Sequence, residues 1–434
     1  MTTRLVAAGL LIASAILAWL AITSAVVARV LQAAIAISLV YVAYLALRGY
    51  QAMRATRGMA PAERRWVTLV VAARNEAPVI ATTLRGLVQL EYAEGDEPCF
   101  DVLVVDDGST DETGALADQV ADEHAGRLRV IRREPGDGPR MKAAALSYAH
   151  PHARGEVIGV VDADASVAPD FLSRVMDAWQ SDPEAVAIQA QRRAHNRGHS
   201  WFAAAQDEEL LMDMASQCGR HATDGTAELR GNGMFVRREA LERVGGWSET
   251  ALTEDLELST RLVAAGERIA LAPGAEVGEE AVITWRALWG QRLRWAEGSI
   301  RRLIDLGPGL MASRHVSLSR KLDFLAFTGE FLIPPLFVTT VIASLLTIPL
   351  PGAADWTVPA SLFVGYGIGS FLLALAGVAA EGQRGAGLVG RAGRGSLWLS
   401  HWLVVVPAAL LRIAIGRQAT SFVQTRRVGH LPER

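Results

Sequence analysis

The sequence has few of the residues on which several protein classes depend. Of its 434 residues only two are cysteines, Cys99 and Cys218, and neither has a partner at metal-ligand spacing. They give no indication of a disulfide framework, and we expect two free thiols in a reducing compartment. The net charge is −3. Nothing in that balance indicates nucleic-acid binding, so no nucleic-acid partner is expected.

Two nucleotide-binding signatures are missing as well. No Gly-x-Gly-x-x-Gly pattern follows a predicted strand, and there is no Walker sequence. These motifs place backbone amides against phosphates at the start of a helix. A dinucleotide-binding or P-loop enzyme is therefore unsupported.

Long apolar runs, by contrast, occupy both ends of the chain. Residues 5–28 and 30–47 carry no charge, and about 20 apolar residues are enough to span a bilayer. A signal peptide is the competing interpretation of the first run, but its length and the second run favour two transmembrane helices within 1–48. Because Arg48, Arg54 and several later arginines follow, the positive-inside rule places the domain at 49–300 in the cytoplasm.

The C-terminal apolar runs are less regular. Residues 331–354 and 356–380 are separated only by Asp355, and the run at 396–415 contains Pro407. We expect about three transmembrane or re-entrant helices within 323–416, which makes five helices in all, with residues 381–396 as a cytoplasmic loop. A re-entrant hairpin broken at Pro407, or a second pass within 323–350, would keep the basic tail 417–434 inside.

Short apolar segments alternate with helical patterns in the middle of the chain. The predicted strands are 67–73, 101–105, 128–131 and 155–161, which indicates an α/β fold with a mostly parallel sheet. Polar clusters follow three of these strands directly. Because ligands bind at the carboxyl ends of parallel strands, these clusters are the candidate site. They are Asn75 with Glu76, Asp106 with Asp107, and Asp162 with Asp164.

Asp162 and Asp164 are two positions apart, so both carboxylates can point into one crevice. Paired carboxylates at such a place favour Mg²⁺ or Mn²⁺, which take oxygen ligands and bridge phosphates. The alternative is a solvated turn, since aspartate is common at strand ends.

Two further motifs precede the C-terminal apolar runs. Thr253-Glu254-Asp255 stands at a predicted helix start, where its charges could simply suit the helix dipole. Gln291, Arg294 and Trp295 lie on one face of a second predicted helix. Residues 281–322 are expected to form amphipathic helices at the bilayer surface, with Trp285, Trp289 and Ile300 facing the lipid.

The order of these motifs resembles the membrane-bound family 2 glycosyltransferases, which include cellulose, hyaluronan, chitin and poly-N-acetylglucosamine synthases. The residues that carry the resemblance are the clusters named above, Lys142 before an alanine-rich helix, and Arg237 to Leu241 with Gly245 and Gly246. The resemblance implies a GT-A fold, Rossmann-like and mostly parallel, between transmembrane helices at the cytoplasmic face of the plasma membrane. One departure is Met141, which stands before Lys142 where the family usually has glycine.

By the same resemblance each cluster has an expected role. Asn75, Glu76, Asp106 and Asp107 would hold the base and ribose of a nucleotide-sugar, and Lys142 its diphosphate or sugar. Asp162 would contact the donor and share the metal with Asp164, the likelier direct ligand. Asp255, beside Glu254, would deprotonate the acceptor hydroxyl. Gln291, Arg294 and Trp295 would form the acceptor site, with the indole on a sugar ring.

Three functions remain to be distinguished. The leading hypothesis is a processive, inverting synthase that extends and exports a polysaccharide from a UDP-sugar such as UDP-N-acetylglucosamine or UDP-glucose. The alternative is a transferase that adds one sugar to a lipid carrier or glycolipid. A catalytically silent nucleotide-sugar sensor or transporter is the remote third, because both the base and the metal carboxylates are present.

Overall fold

The structure is a computed structural model that describes residues 2–55, 64–95, 97–134, 138–139, 141–348 and 356–417. Residues 349–355, which contain the end of the apolar run 331–354 and Asp355, and the basic tail from residue 418 lie outside these ranges. Both predicted free thiols are confirmed, since Cys99 and Cys218 are unpaired and buried.

Ten strands form within the described residues, eight of them in one sheet with the order β5-β4-β1-β6-β9-β8-β10-β7. The remaining two pair only with each other. Their bounds are β1 Val67–Ala73, β2 Ala93–Glu94, β3 Glu97–Pro98, β4 Phe100–Asp106, β5 Leu128–Arg132, β6 Val157–Val160, β7 Ser166–Val167, β8 Ala185–Ala194, β9 Met234–Arg237 and β10 Arg268–Glu279.

Helices surround this sheet and make up both ends of the described chain. Their bounds are α1 Thr2–Thr23, α2 Ala25–Ala55, α3 Ile80–Val88, α4 Thr113–Glu123, α5 Lys142–Ala149, α6 Phe171–Gln180, α7 Trp201–His221, α8 Arg238–Arg243, α9 Glu254–Ala264, α10 Trp285–Ala312, α11 Leu318–Thr328, α12 Ile333–Thr347, α13 Thr357–Ala380, α14 Gly385–Leu399 and α15 Trp402–Ala414.

The prediction of a mostly parallel sheet is confirmed. β1 pairs in parallel with β4 and β6, β4 with β5, and β8 with β10. The exceptions are β9, which runs antiparallel between β6 and β8, and the short β7 on β10. Successive side chains of β1 and β4 alternate between two apolar cores, as strand geometry requires. Helices therefore cover both faces, and the strand ends stay open for a site.

Five segments are long and apolar enough to cross a membrane, counting only described residues. They are α1, α2, α11 with α12, α13, and α14 with α15. This agrees with the predicted five helices. The prediction of a loop at 381–396 is wrong, because Gly385–Leu399 is helical. The last segment breaks at Ser400 and His401, whereas Pro407 lies inside α15.

The arginines of α14 explain that error. Arg391 and Arg394 form ion pairs with the fully buried Glu208 of α7, with Nε–O distances of 3.0 and 2.7 Å. Arg391 also pairs with Glu381 at 3.2 Å. A helix whose arginines are neutralised by buried carboxylates does not need to lie in solvent.

The long helix α7 joins the sheet domain to the apolar helices by direct backbone contact. A Cβ atom on Gly49 of α2 would lie 2.0 Å from the carbonyl oxygen of Ala215, and one on Gly219 would lie 2.3 Å from that of Leu45. Gly377 of α13 approaches Leu211 in the same way, at 2.5 Å. Only glycine permits such close approach.

Helix α10 is a single 28-residue helix rather than a purely interfacial one. Trp285 is 54% exposed, as a lipid-facing residue would be, but Ile300 is 2% exposed and packs with Leu293 and Ala296 against α15. The prediction that Ile300 faces lipid is therefore wrong. The helix buries that face against the C-terminal hairpin and lies beside α9 on another.

Candidate active site

Four charged side chains from distant parts of the sequence meet beyond the carboxyl end of β6. Lys142, at the start of α5, places its Nζ atom 2.5 Å from Oδ1 of Asp162 and 3.4 Å from Oε1 of Glu254. Asp255 borders the same space, because a Cβ on Gly231 would lie 3.3 Å from its Oδ2 atom and 3.6 Å from Lys142 Nζ. The structure thus brings together these four sequence-predicted residues.

Burial and charge shift the proton affinities of this cluster. Burial alone would lower the pKa of Lys142, but the charges of Asp162, Glu254 and Asp255 outweigh it and raise that pKa. Burial raises the pKa of Glu254 to about 7, although Lys142 opposes the shift. The pKa of Asp255 is also raised by burial, against the amide of Leu256 and the charge of Lys142. Carboxylates with raised pKa values beside a cation are suited to proton transfer near neutral pH.

Asp162 and Asp164 are held by the turns around them. The backbone amide of Asp162 donates to the side-chain oxygen of Asn232, at 3.1 Å. Oδ2 of Asp164 accepts from the amide of Glu280 at 2.9 Å, and the residue is 2% exposed. Asn232 lies between Gly231 and Gly233, which have φ angles of +77° and +71°. In the sequence, an asparagine enclosed by two glycines was the available signal for the contact with Asp162.

The first two polar clusters form a separate part of the same strand-end edge. Asn75 follows β1 with φ +54°, and its Oδ1 atom accepts from the amide of Thr110 at 2.7 Å. Asp106 accepts from the amide of Ser109 at 2.9 Å. Glu76 and Asp107 are buried, and Asp107 pairs with Arg133. These residues shape the loops after β1 and β4, next to each other in the sheet.

Helix α10 lies directly against the Thr253-Glu254-Asp255 segment. A Cβ on Gly298 would lie 2.4 Å from Cγ2 of Thr253, which is the residue that precedes α9. Gln291, Arg294 and Trp295 are half-buried on the preceding turns of the same helix. Burial lowers the pKa of Arg294. The predicted acceptor residues are therefore carried by the helix that contacts Thr253, two positions before the predicted base Asp255.

Sequence reasoning missed two arginines near this site. Arg230 pairs with Asp213 at 3.0 Å and with Glu228 at 2.9 Å, and its charge opposes the rise in the pKa of Asp255. Arg292 is 2% exposed, with its Cζ atom 4.2 Å from the centre of the Trp295 ring. The only sequence signal for Arg292 was its place between Gln291 and Arg294.

The acidic side chains at the strand ends are also the candidate ligands for a metal ion. No group of three or more His, Cys, Asp or Glu side chains suited to a metal ion occurs among the described residues. Asp162 and Asp164 still fit Mg²⁺ or Mn²⁺, because Mg²⁺ is usually held by one or two carboxylates with water and substrate phosphates. The pair could serve a metal that arrives with a diphosphate.

Comparison with known proteins agrees with this geometry. The model of "Glycosyltransferase like family 2" matches residues 63–298. Beta-monoglucosyldiacylglycerol synthase from Synechocystis sp. is 34% identical over 83% of this chain and 74% of its own length. Poly-beta-1,6-N-acetyl-D-glucosamine synthase from Staphylococcus aureus is 26% identical over 54% of both chains.

Among solved structures, the mannosyltransferase PcManGT from Pyrobaculum calidifontis, in complex with GDP-Man and Mn²⁺, has a TM-score of 0.59. It is 23% identical, and the match covers 89% of this chain and all of that one. The likeness confirms the predicted GT-A fold. The chain belongs to glycosyltransferase family 2, whose members transfer a sugar from a nucleotide-sugar donor with inversion.

Proposed function

We propose that this enzyme adds one sugar from a nucleotide-diphosphate sugar to a lipid acceptor in the membrane. The observation that carries the proposal is the likeness to beta-monoglucosyldiacylglycerol synthase, which extends over 83% of the chain. That match is longer than the region 63–298 of the family domain, so it includes apolar helices as well as the catalytic domain. The likeness therefore extends to apolar helices beside the catalytic domain, where a lipid acceptor would approach.

The donor would lie along the strand ends. Asn75, Glu76, Asp106 and Asp107 would border the base and ribose in the loops after β1 and β4. Lys142 and Asp162 would face the diphosphate and the sugar, because they meet at the centre of the charged cluster. The neighbour PcManGT was solved with GDP-Man, which supports a nucleotide-sugar as donor without naming the sugar.

Asp255 would act as the base, with Glu254 beside it. Its carboxylate accepts the proton of the acceptor hydroxyl, the oxygen forms a bond to the anomeric carbon, and the bond from that carbon to the diphosphate breaks. The nucleoside diphosphate leaves with the electron pair, and the configuration inverts. The raised pKa of Asp255 strengthens it as a proton acceptor.

A divalent cation, Mg²⁺ or Mn²⁺, would be held by Asp164 and Asp162. When bound, it neutralises charge that develops on the leaving diphosphate. Lys142 supplies a fixed positive charge at the same place, since its ammonium group already lies against Asp162. The presence of Mn²⁺ in PcManGT supports this assignment.

The acceptor would approach from the bilayer along α10. Gln291, Arg294 and Trp295 lie on the helix that contacts Thr253, so an acceptor bound there is close to Asp255. Five apolar segments adjoin the domain. The arginines that follow α2 in the sequence support a position on the cytoplasmic side of the plasma membrane.

A processive synthase is the second candidate. The Gln291-x-x-Arg294-Trp295 pattern and the likeness to poly-beta-1,6-N-acetyl-D-glucosamine synthase favour it, although that likeness covers only 54% of the chain. A silent sensor or transporter would have no use for the base and the carboxylate pair.

One experiment separates these functions. Membranes with the wild-type chain or with Asp255→Asn are given radiolabelled nucleotide-sugars with Mn²⁺ or Mg²⁺, or with a chelator. The products are then extracted with organic solvent and sized on a gel. We expect one labelled lipid that requires both Asp255 and the cation. A high-mass, water-soluble product would instead establish the processive synthase, and donor binding without transfer by the wild type would establish the sensor.

A further inference from the structure

A buried carboxylate outside the donor site receives three side-chain donors from three helices. Glu209 of α7 accepts from Nε1 of Trp398 on α14 and from Nε1 of Trp402 on α15, both at 2.9 Å. It also accepts from a terminal nitrogen of Arg292 on α10, at 2.6 Å. We name Glu209, Arg292, Trp398 and Trp402 the Glu209 clamp.

The clamp is nearly closed to solvent and strongly polar. The side chain of Arg292 is 3% exposed and that of Glu209 is 13% exposed. Burial alone would raise the pKa of Glu209, but Arg292, His401 and the two indole N–H groups hold it below its usual value. Charge-assisted hydrogen bonds of this kind are about twice as strong as neutral ones and fix geometry.

Arg292 connects the clamp to the ring of Trp295. The guanidinium carbon of Arg292 lies 4.2 Å from the centre of that indole and 5.6 Å from the centre of the Trp402 ring. Arg192 approaches the same Trp295 ring at 5.8 Å. A guanidinium held over the face of an indole restricts the rotation of the indole, because the cation is attracted by the ring face.

The last apolar segment breaks between the two tryptophans of the clamp. Trp398 is the penultimate residue of α14, Trp402 begins α15, and Ser400 and His401 lie between the two helices. A continuous helix would also place residues 398 and 402 on one face. Here the ring of His401 lies 5.1 Å from each of the two indoles and fills the break.

We propose that Glu209 and Arg292 are positioning residues that set the orientation of Trp295 for the acceptor and tie it to the α14–α15 hairpin. The inference rests on the proposed function only in giving Trp295 an acceptor role. The contacts described above do not join either residue to the cluster of Lys142, Asp162 and Asp255, so the proposal predicts donor binding that does not depend on the clamp.

The test measures acceptor and donor kinetics separately. Vesicles containing diacylglycerol serve as acceptor, and the KM for acceptor and for donor is measured for wild type, Glu209→Gln and Trp402→Phe. Glu209→Gln removes the charge that holds Arg292, and we expect its acceptor KM to rise about tenfold, as loss of one charged hydrogen bond implies. The donor KM should not change. Trp402→Phe keeps a six-membered aromatic ring but loses the N–H that donates to Glu209 together with the five-membered ring. Because Arg292 and Trp398 still donate to Glu209, a smaller rise in the same direction is expected.

Glu208→Gln is the matched control on the same helix. Glu208 pairs with Arg391 and Arg394 of α14 but does not contact Arg292 in the described structure. We expect lower thermal stability with an unchanged acceptor KM. In a Trp295→Ala background Glu209→Gln should have no further effect, because the clamp acts through that ring.

Two results would overturn the proposal. One is an acceptor KM that stays at the wild-type value in Glu209→Gln and Trp402→Phe while Trp295→Ala raises it. The other is an equal loss for donor and acceptor, which would mark a merely structural role. If the wild type labels no lipid but makes a polymer, the proposed function fails. The same variants are then compared by polymer length, with shorter products expected from Glu209→Gln and unchanged length overturning the inference.

Discussion

Gly298 lets α10 approach the catalytic segment, and its replacement by alanine gives a direct test of that contact. The added Cβ would lie 2.4 Å from Cγ2 and 2.8 Å from Oγ1 of Thr253. Because carbon atoms pack at about 3.5–4.0 Å, the helix and Thr253 must separate by roughly 1 Å. Glu254 and Asp255 follow Thr253 directly, so we expect the proposed base, Asp255, to move with it.

The expected effect is large on catalysis and small on stability. Overpacking costs about 1–3 kcal/mol, and alanine in place of glycine returns up to ~1 kcal/mol of helix propensity. A misplacement of about 1 Å at a reacting group can reduce the rate by about a hundredfold. Gly298→Ala should therefore fold, bind the donor and transfer sugar at a much lower kcat.

The assay is initial-rate transfer by purified protein in vesicles, with thermal unfolding measured alongside. Gly309→Ala is the control on the same helix, because its Cβ would meet no atom within 4 Å. It should keep wild-type kcat. Thr253→Ala removes the two closest atoms and leaves Cβ at 3.1 Å, so Gly298→Ala with Thr253→Ala should recover most of the kcat of Thr253→Ala alone. A wild-type kcat in Gly298→Ala, or the same loss in Gly309→Ala, would refute the reasoning.

Three further predictions concern stability and follow from buried groups. Because the pKa of Glu254 is about 7 when folded against 4.5 in a free chain, the folded state holds this proton more tightly. The proton on Glu254 therefore stabilises the folded state by at most about 3 kcal/mol below pH 4.5, and this contribution is lost as the pH rises to about 7. The stability of Glu254→Gln, measured by thermal unfolding, should not show this decline. Glu228 is 2% exposed and lies 2.9 Å from Arg230 and 2.5 Å from Arg302, so Glu228→Gln should cost about 3–5 kcal/mol by denaturant unfolding, whereas the exposed Glu239→Gln should cost almost nothing. Gly377→Ala would place a Cβ 2.5 Å from the carbonyl oxygen of Leu211 and should lower the unfolding temperature, and Gly367→Ala on the same helix, which meets no atom within 4 Å, should not; equal effects from either pair of variants would contradict the packing described.

The strand-end cluster could be predicted because the chemistry follows from local pattern. In the sequence, polar residues mark the carboxyl end of each apolar strand. Parallel strands bring those ends to one edge of the sheet. This explains the place of Asp162, whereas Lys142 and Asp255 lie in the first turns of α5 and α9 and were expected beside it from the family resemblance. The structure brings the three residues together. The order of motifs then identified the family.

Contacts between distant polar residues could not be predicted in this way. β9 is four residues long and follows a glycine turn, so nothing local indicates that it enters the sheet antiparallel. Glu209 is separated from Trp402 by almost half of the chain, so no local pattern indicates their hydrogen bond. Arg391 and Arg394 indicated a solvent-exposed loop, because the sequence does not show that they pair with Glu208. Burial of a charge depends on its partner, which periodicity does not reveal.

The glycine contacts between α2 and α7 have a consequence for how the enzyme meets its substrate. Leu45 lies against Gly219 and Gly49 against Ala215, so the two helices touch backbone to backbone at points one turn apart on each. Such a joint has no side chains to repack and cannot slide without opening a gap. The position of α7 relative to α2 is thus fixed by backbone contact. Under the proposed function, we expect this fixed offset to make the depth of the acceptor hydroxyl in the bilayer a criterion by which acceptors are selected.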